Sequence, residues 1–205
     1  MRRVLSLSVL LVAGAAAAQT AKPKPPPPLA QFISQRIIVL PVQLLRADTG
    51  AFVGAATWEK FRRELDDSIG SAIAARGLGR QWSYAADVAR SAKRNAAYTS
   101  DPYSLGVQPM RGAVIKSGDK IPVLFGSNLR ALIALGDTRY ALLPIELTFQ
   151  RSGAEQRAAL RLALVDGRSG LFVWIGEVAS DPSTAFGPVT IGTLAARVAD
   201  LVVAP

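Results

Sequence analysis

Leu162-Ala163-Leu164-Val165-Asp166-Gly167-Arg168-Ser169-Gly170-Leu171-Phe172-Val173-Trp174 decides the fold. Two apolar runs flank a turn in which an Asp carboxylate can accept backbone N–H groups and Gly170 can take a positive φ, so the stretch reads as an antiparallel hairpin. Its arms extend to Ala158–Val165 and Leu171–Ala179. Upstream, Tyr140 to Gln150 is apolar and breaks at Gly153, which adds a third strand and makes a meander. Far earlier, Ile37-Ile38-Val39-Leu40-Pro41-Val42 is continuously apolar, as expected of a central strand covered on both faces. Arg36-x-x-x-Leu40-Pro41-Val42-Gln43-Leu44 and Arg139-x-x-x-Leu143-Pro144-Ile145-Glu146-Leu147 share one spacing, which predicts neighbouring parallel strands. Each proline removes a ladder donor, so both strands should bulge or stop there. Glu146 falls on the face opposite its apolar neighbours. It reads as an acid in a cleft or, preferred, as a carboxylate at the sheet rim.

Helical periodicity fills the gaps. After a Gly-rich loop, Thr57 suits an N-cap, and Trp58, Phe61, Leu65, Ile69, Ala72 and Ile73 recur at spacings of three and four until Gly77. The other face carries Glu59, Lys60, Arg62, Arg63, Glu64, Asp66 and Asp67 and reads as a solvated salt-bridge face. Asp66 and Asp67, being adjacent on a helix, point apart and propose no metal. A short strand is expected near Leu78–Trp82, then a helix capped by Ser83 and running to Asn95, an apolar helix from Asn128 to Leu135, and a closing helix from about Val189 to Val203. The expected fold is α/β (α+β), a single three-layer domain on a mixed sheet of about five strands, in the order β-α-β-α-α-β-β-β-α.

The chain has 205 residues, half of them hydrophobic, and carries a formal charge of +9. It contains no Cys and no His, which removes disulfides, thiolate nucleophiles, imidazole bases and the ligands of most transition-metal sites. A non-enzyme without a cofactor is expected. An enzyme restricted to Asp, Glu, Ser, Lys or Tyr, such as a carboxylate-pair glycosidase, ranks lowest.

Arg2-Arg3, the apolar run Val4–Val12 and the small residues Ala13–Ala18 follow the order of a secretory signal, with Ala16-Ala17-Ala18 as the cleavage site. Val4–Ala18 is only 15 residues, short of the roughly 20 that cross a bilayer. No transmembrane segment is therefore expected after residue 18. The expected organisation is a signal at 1–18, a Pro-rich linker at 19–35 containing Lys22-Pro23-Lys24-Pro25-Pro26-Pro27-Pro28, and one domain at 36–205 with a long loop at 96–125. The loop's Tyr98, Tyr103 and Met110 either anchor it or form a contact surface. Export places the protein in the periplasm or outside the cell.

Between Arg76 and Lys120 there are eight Lys or Arg against three Asp. Arg76, Arg80, Arg90, Lys93 and Arg94 are the candidate binding residues, for an anionic small molecule, lipid headgroup or glycan. Nucleic acid is disfavoured by export and by the lack of interleaved aromatics.

Taken together, the Ile38–Val42 strand, the passage Ala134-Leu135-Gly136-Asp137-Thr138-Arg139-Tyr140-Ala141-Leu142 and the hairpin quoted first resemble the α/β domain shared by the curli-secretion protein CsgG, the penicillin-binding-protein activator LpoB and the amino-terminal domain of TolB. Ser169 stands where that family's hairpin usually has Thr, and Asp137-Thr138-Arg139 modifies the strand opening. The resemblance covers about residues 36–203. It implies the fold and a non-enzymatic envelope role in binding a protein partner, as an adaptor or assembly factor, with oligomerisation left open. The lipid-acceptor Cys common in the family is missing, as are a following propeller and long alternating membrane hairpins, so a pore is disfavoured.

Overall fold

The longest strand, Tyr140–Ser152, organises the sheet, because it pairs directly with three of the other five. The computed structural model describes residues 25–47, 55–152 and 154–204. The signal at 1–18 and residues 19–24 of the Pro-rich segment lie outside the described residues. The strands are β1 (Ile37–Val39), β2 (Leu44–Ala47), β3 (Trp82–Ser83), β4 (Tyr140–Ser152), β5 (Glu155–Asp166) and β6 (Leu171–Ala179), and the helices are α1 (Ala55–Ile73), α2 (Ala85–Arg94), α3 (Val123–Leu135) and α4 (Pro188–Asp200). They form a six-stranded sheet in the order β3-β1-β4-β5-β6, with β2 also paired to β4. The meander β4-β5-β6 is antiparallel, whereas β1 and β2 run parallel to β4 and β3 runs parallel to β1. The chain is a single α+β domain on a mixed sheet, one strand larger than expected.

The repeated Leu-Pro spacing is a register. Ile37 faces Tyr140, Ile38 faces Ala141 and Val39 faces Leu142, the offset that aligns Arg36 with Arg139. Past the prolines the offset slips by one, so that Leu44 faces Glu146, and the β4–β5 register shifts between Pro144 and Glu146. Proline has no N–H for the ladder, so β1 stops at Val39 and pairing resumes at Leu44 as the unforeseen β2.

Side-chain alternation builds a core on each face. Leu142, Leu147, Phe149, Leu160, Leu162 and Leu164 pack with Phe61, Leu65 and Ile69 of α1 and Leu194 and Val198 of α4. Ala141, Leu143, Ile145, Ala163 and Val165 pack with Val88 of α2 and Phe125, Leu129 and Leu132 of α3. Helices thus cover both faces, giving three layers. Each fully buried Leu contributes about 2 kcal/mol of transfer free energy.

Several boundaries move. The Pro-rich segment does not remain a spacer to residue 35: Leu29 is fully buried, its N–H donates to the Leu201 carbonyl at 2.8 Å, and Phe32 meets Tyr140 edge-on at 5.2 Å. Leu29 and Phe32, with Ile33 packed against the same core, supply that attachment. The loop ends at residue 122, because Pro122 occupies the N-cap of α3 and the helix already begins at Val123 rather than Asn128. α1 begins at Ala55, ahead of Thr57, and Tyr84 rather than Ser83 is the N-cap of α2.

α1 ends in the turn Ala74–Leu78, where Gly77 has φ +91° with open space around its Cα. Gly77→Ala therefore meets no clash and tests backbone strain alone. It should lower stability by about 1 kcal/mol, read as a lower urea midpoint at unchanged slope.

Candidate functional site

The segment at 96–122 has one short helical turn, Gln108–Met110, yet it is fixed to the domain along its whole length. Apolar anchors come first: Leu105, Val107 and Met110 are buried against α2 and α3. Of the three side chains read as anchors or surface, Met110 anchors, Tyr103 is half-buried and Tyr98 is 84% exposed.

A buried ion pair holds the middle. Glu146 of β4 faces Arg161 of β5 across the hairpin, and its Oε2 lies 3.4 Å from the guanidinium. The same guanidinium donates to the carbonyls of Met110 and Ala113, and Glu146 Oε2 accepts the Gly112 N–H at 3.2 Å. Glu146 is only 3% exposed, so it is no rim carboxylate. The bulge after Pro144 inverts the alternation of β4 and turns Glu146 inward beneath the loop.

A second polar cluster joins the loop to the end of β1 and to α1. Gln43 Nε2 donates to the carbonyls of Pro41 and Pro102, both at 2.8 Å. The Arg62 guanidinium sits 4.4 Å from the centre of the Tyr103 ring and pairs with Glu59. Asp66 Oδ1 accepts the Val42 N–H at 2.9 Å. Arg62 and Asp66 therefore leave the solvated face assigned to them: both are buried, because the loop covers that flank of α1. Asp66 Oδ2, Arg62 Nε and Gln43 Oε1 have no hydrogen-bond partner among the described residues. Burial is the main cause that pushes the Asp66 carboxyl up to about 8, against the Val42 N–H and Arg62, which favour its charged form. Burial and the nearby Asp66 likewise push the Tyr103 phenol up to about 12.

The loop's end closes half of a sheet edge. Gly118 N–H donates to the Phe172 carbonyl at 2.8 Å, Phe172 N–H to Asp119 at 3.0 Å and Ile121 N–H to Gly170 at 3.0 Å. This strap covers the beginning of β6. The mounted segment nevertheless leaves apolar groups in water. Among the described residues, Tyr98, Val114, Val123, Leu124, Leu135 and Val189 are the large hydrophobic side chains left exposed, and four of them fall between residues 98 and 124. Leu124 also packs against the backbone at Gly106, which has φ +79°.

The predicted cationic residues do not form one equivalent set. Arg90, Lys93 and Arg94 lie on α2 at spacings that share a face, and Arg90 pairs with Asp87 at 2.9 Å. Arg94 lines a pocket of about 290 Å³ with Ile38, Ser91 and Leu132. Arg76 belongs elsewhere: it pairs with Asp200 of α4 and donates to the Val203 carbonyl. Arg80 is exposed between the Gly77 turn and β3. Sequence reasoning misplaced Arg62 and Asp66 and missed Arg161, although Arg161 falls opposite Glu146 once Ser152 is set opposite Glu155.

No helix among the described residues is long and apolar enough to cross a membrane. No protein-family model matches the chain, and no curated protein matches it. Solved structures do. The LpoB C-terminal domain from Salmonella enterica aligns at 14% identity with a TM-score of 0.36, covering 71% of this chain and 81% of that one. The PelC dodecamer from Paraburkholderia phytofirmans aligns at 12% identity and 0.41, covering 87% and 95%. Lipoprotein GNA1162 from Neisseria meningitidis aligns at 17% identity and 0.39, covering 80% and 94%. The chain is similar at this level to the LpoB C-terminal domain, LpoB being one of the three proteins named by the sequence resemblance, to PelC and to lipoprotein GNA1162.

Proposed function

We propose that the chain is an exported cell-envelope protein that performs no chemistry of its own and acts as an adaptor or assembly factor by binding a protein partner. One observation carries this reading: Val123 and Leu124, 90% and 63% exposed, are consecutive residues in the first turn of α3, directly after a segment held by a buried ion pair and a polar cluster. Exposed apolar residues on a rigid mount favour association, because little conformational entropy is lost when a partner covers them. The signal-like residues 1–18 support the envelope location.

Photo-crosslinking residues 19–205 in the native envelope tests it, with the reactive group placed at residue 124 and, as a control, at Val189. A single protein crosslinked from residue 124, retained at high salt and lost when Val123→Asp is added, is the expected result. A partner bound equally by that variant, or capture of anionic lipid or glycan alone and only at low salt, overturns the proposal. The second outcome would favour the cationic face of α2, where Lys93 and Arg94 have no carboxylate partner among the described residues.

A further inference from the structure

A different group of arginines converges where α3, the turn into β4 and the β5–β6 turn meet. Arg130, Ile133 and Ala134 of α3, Thr138 and Arg139 of the following turn, and Arg168 line a pocket of about 300 Å³. We propose that this pocket binds a phosphate monoester, either free in solution or as a lipid headgroup. The proposal stands apart from the adaptor reading and from the face of α2.

Three features make the pocket a built site. First, Arg139 is fixed. Its Nε and Nη2 donate to Asp166 Oδ2 at 3.1 and 2.6 Å, and its guanidinium lies 5.0 Å from the centre of the Tyr140 ring. Burial raises the Asp166 carboxyl, but Arg139 and the N–H groups of Arg168 and Ser169 outweigh it and hold the group below its ordinary value, so the anchor stays ionised. Second, the walls are locked together. A Cβ on Gly167 would lie 2.2 Å from Ile133 Cδ1, so the β5–β6 turn packs directly on the tip of that α3 side chain, and Gly167 N–H donates to the Arg139 carbonyl at 2.9 Å. Third, the charge is uncompensated. Arg130 and Arg168 have no ion-pair partner among the described residues, so three guanidiniums meet one carboxylate. The excess of two positive charges matches a phosphate monoester dianion, and guanidinium forks present paired donors to phosphate oxygens. Ile133 and Ala134 offer an apolar wall to the carbons of the ester, and Thr138 Oγ1 is a buried hydroxyl without a partner among the described residues.

The test titrates the full chain with glycerol 3-phosphate, followed by calorimetry, and separately with phosphatidylcholine vesicles with and without phosphatidate, followed by co-sedimentation. Arg130→Ala/Arg168→Ala removes the two unpaired guanidiniums, and Lys93→Ala/Arg94→Ala is the control for general positive charge. Thermal melting verifies that both variants remain folded. Binding that falls about tenfold or more for each lost arginine in the first variant, and holds in the second, supports the site. Soluble ester binding assigns a free ligand, and phosphatidate-dependent binding alone assigns the headgroup. Equal loss in both variants, unchanged affinity in Arg130→Ala/Arg168→Ala, or no binding of either probe by the parent chain overturns the proposal.

Discussion

Asp66→Asn should make the protein more stable at pH 8 than the parent chain and remove most of its pH dependence between pH 4 and pH 8. The carboxyl is buried, accepts one backbone N–H, and has its ordinary value of 3.8 raised to about 8 by burial. The folded chain therefore holds this proton more tightly than the unfolded chain does. Stability from this group is complete below the unfolded value and is lost as pH rises through the folded one. At about 1.4 kcal/mol per pH unit, the loss between pH 4 and pH 7 is on the order of 4 kcal/mol. Asn has nearly the shape of the neutral acid and keeps an oxygen for Val42 N–H, so it retains the folded geometry without the ionisation. Urea denaturation of both proteins at pH 5 and pH 8 decides the matter. Parallel losses in the two proteins would show that another group carries the pH dependence. Because Asp66 lies beneath Tyr103 and Arg62, protection from hydrogen exchange in the Pro102–Leu105 region, taken relative to the base-catalysed intrinsic rate, should fall with pH in the parent and stay level in the variant.

Arg161→Ala is expected to be the most destabilising change at the loop. It deletes donors to the carbonyls of Met110 and Ala113 and strands Glu146, which is 3% exposed, as an uncompensated buried charge. Breaking a buried pair from one side costs about 3 kcal/mol or more. Replacing both partners by apolar residues, Glu146→Leu/Arg161→Met, should recover a large part of that loss, because the orphaned carboxylate goes with the guanidinium. Denaturant midpoints measure the energies, and limited proteolysis locates them. The single variant should be cut first between residues 108 and 121. A cut elsewhere, or a double variant no more stable than the single one, would mean that the loop is not held through this pair.

The meander was legible because its strands are long, apolar and separated by turn residues, and β1 was legible because six consecutive apolar residues leave it little else to be. The Leu-Pro echo also pointed to parallel neighbours, and its offset holds in β1 and slips by one in β2. By contrast, β2 is four residues long and contains Arg46, too short for any period to show. Arg62 and Asp66 were misplaced for a deeper reason: helical periodicity identifies the stripe of α1 that meets the sheet, while their burial comes from a segment about 40 residues further on whose own sequence has no period. The exposed patch and the arginine pocket share that limit. Arg130 and Arg168 are far apart in sequence, and only the packing of the β5–β6 turn on α3 brings them to one pocket.

The pairing of β1 with β4 also sets an order of assembly. Tyr140 to Ala179 is a continuous local hairpin array, so β4, β5 and β6 can pair by closing short loops, whereas Ile37 must find Tyr140 across about half of the chain. Any process that delivers the polypeptide amino-terminus first, whether translation or secretion, therefore presents the apolar Ile37–Leu40 segment long before its template exists. During that interval the segment is a sticky, unpaired strand. A chaperone that holds the nascent amino-terminal third, and releases it only once the carboxy-terminal hairpins have formed, would match the timetable that this topology imposes.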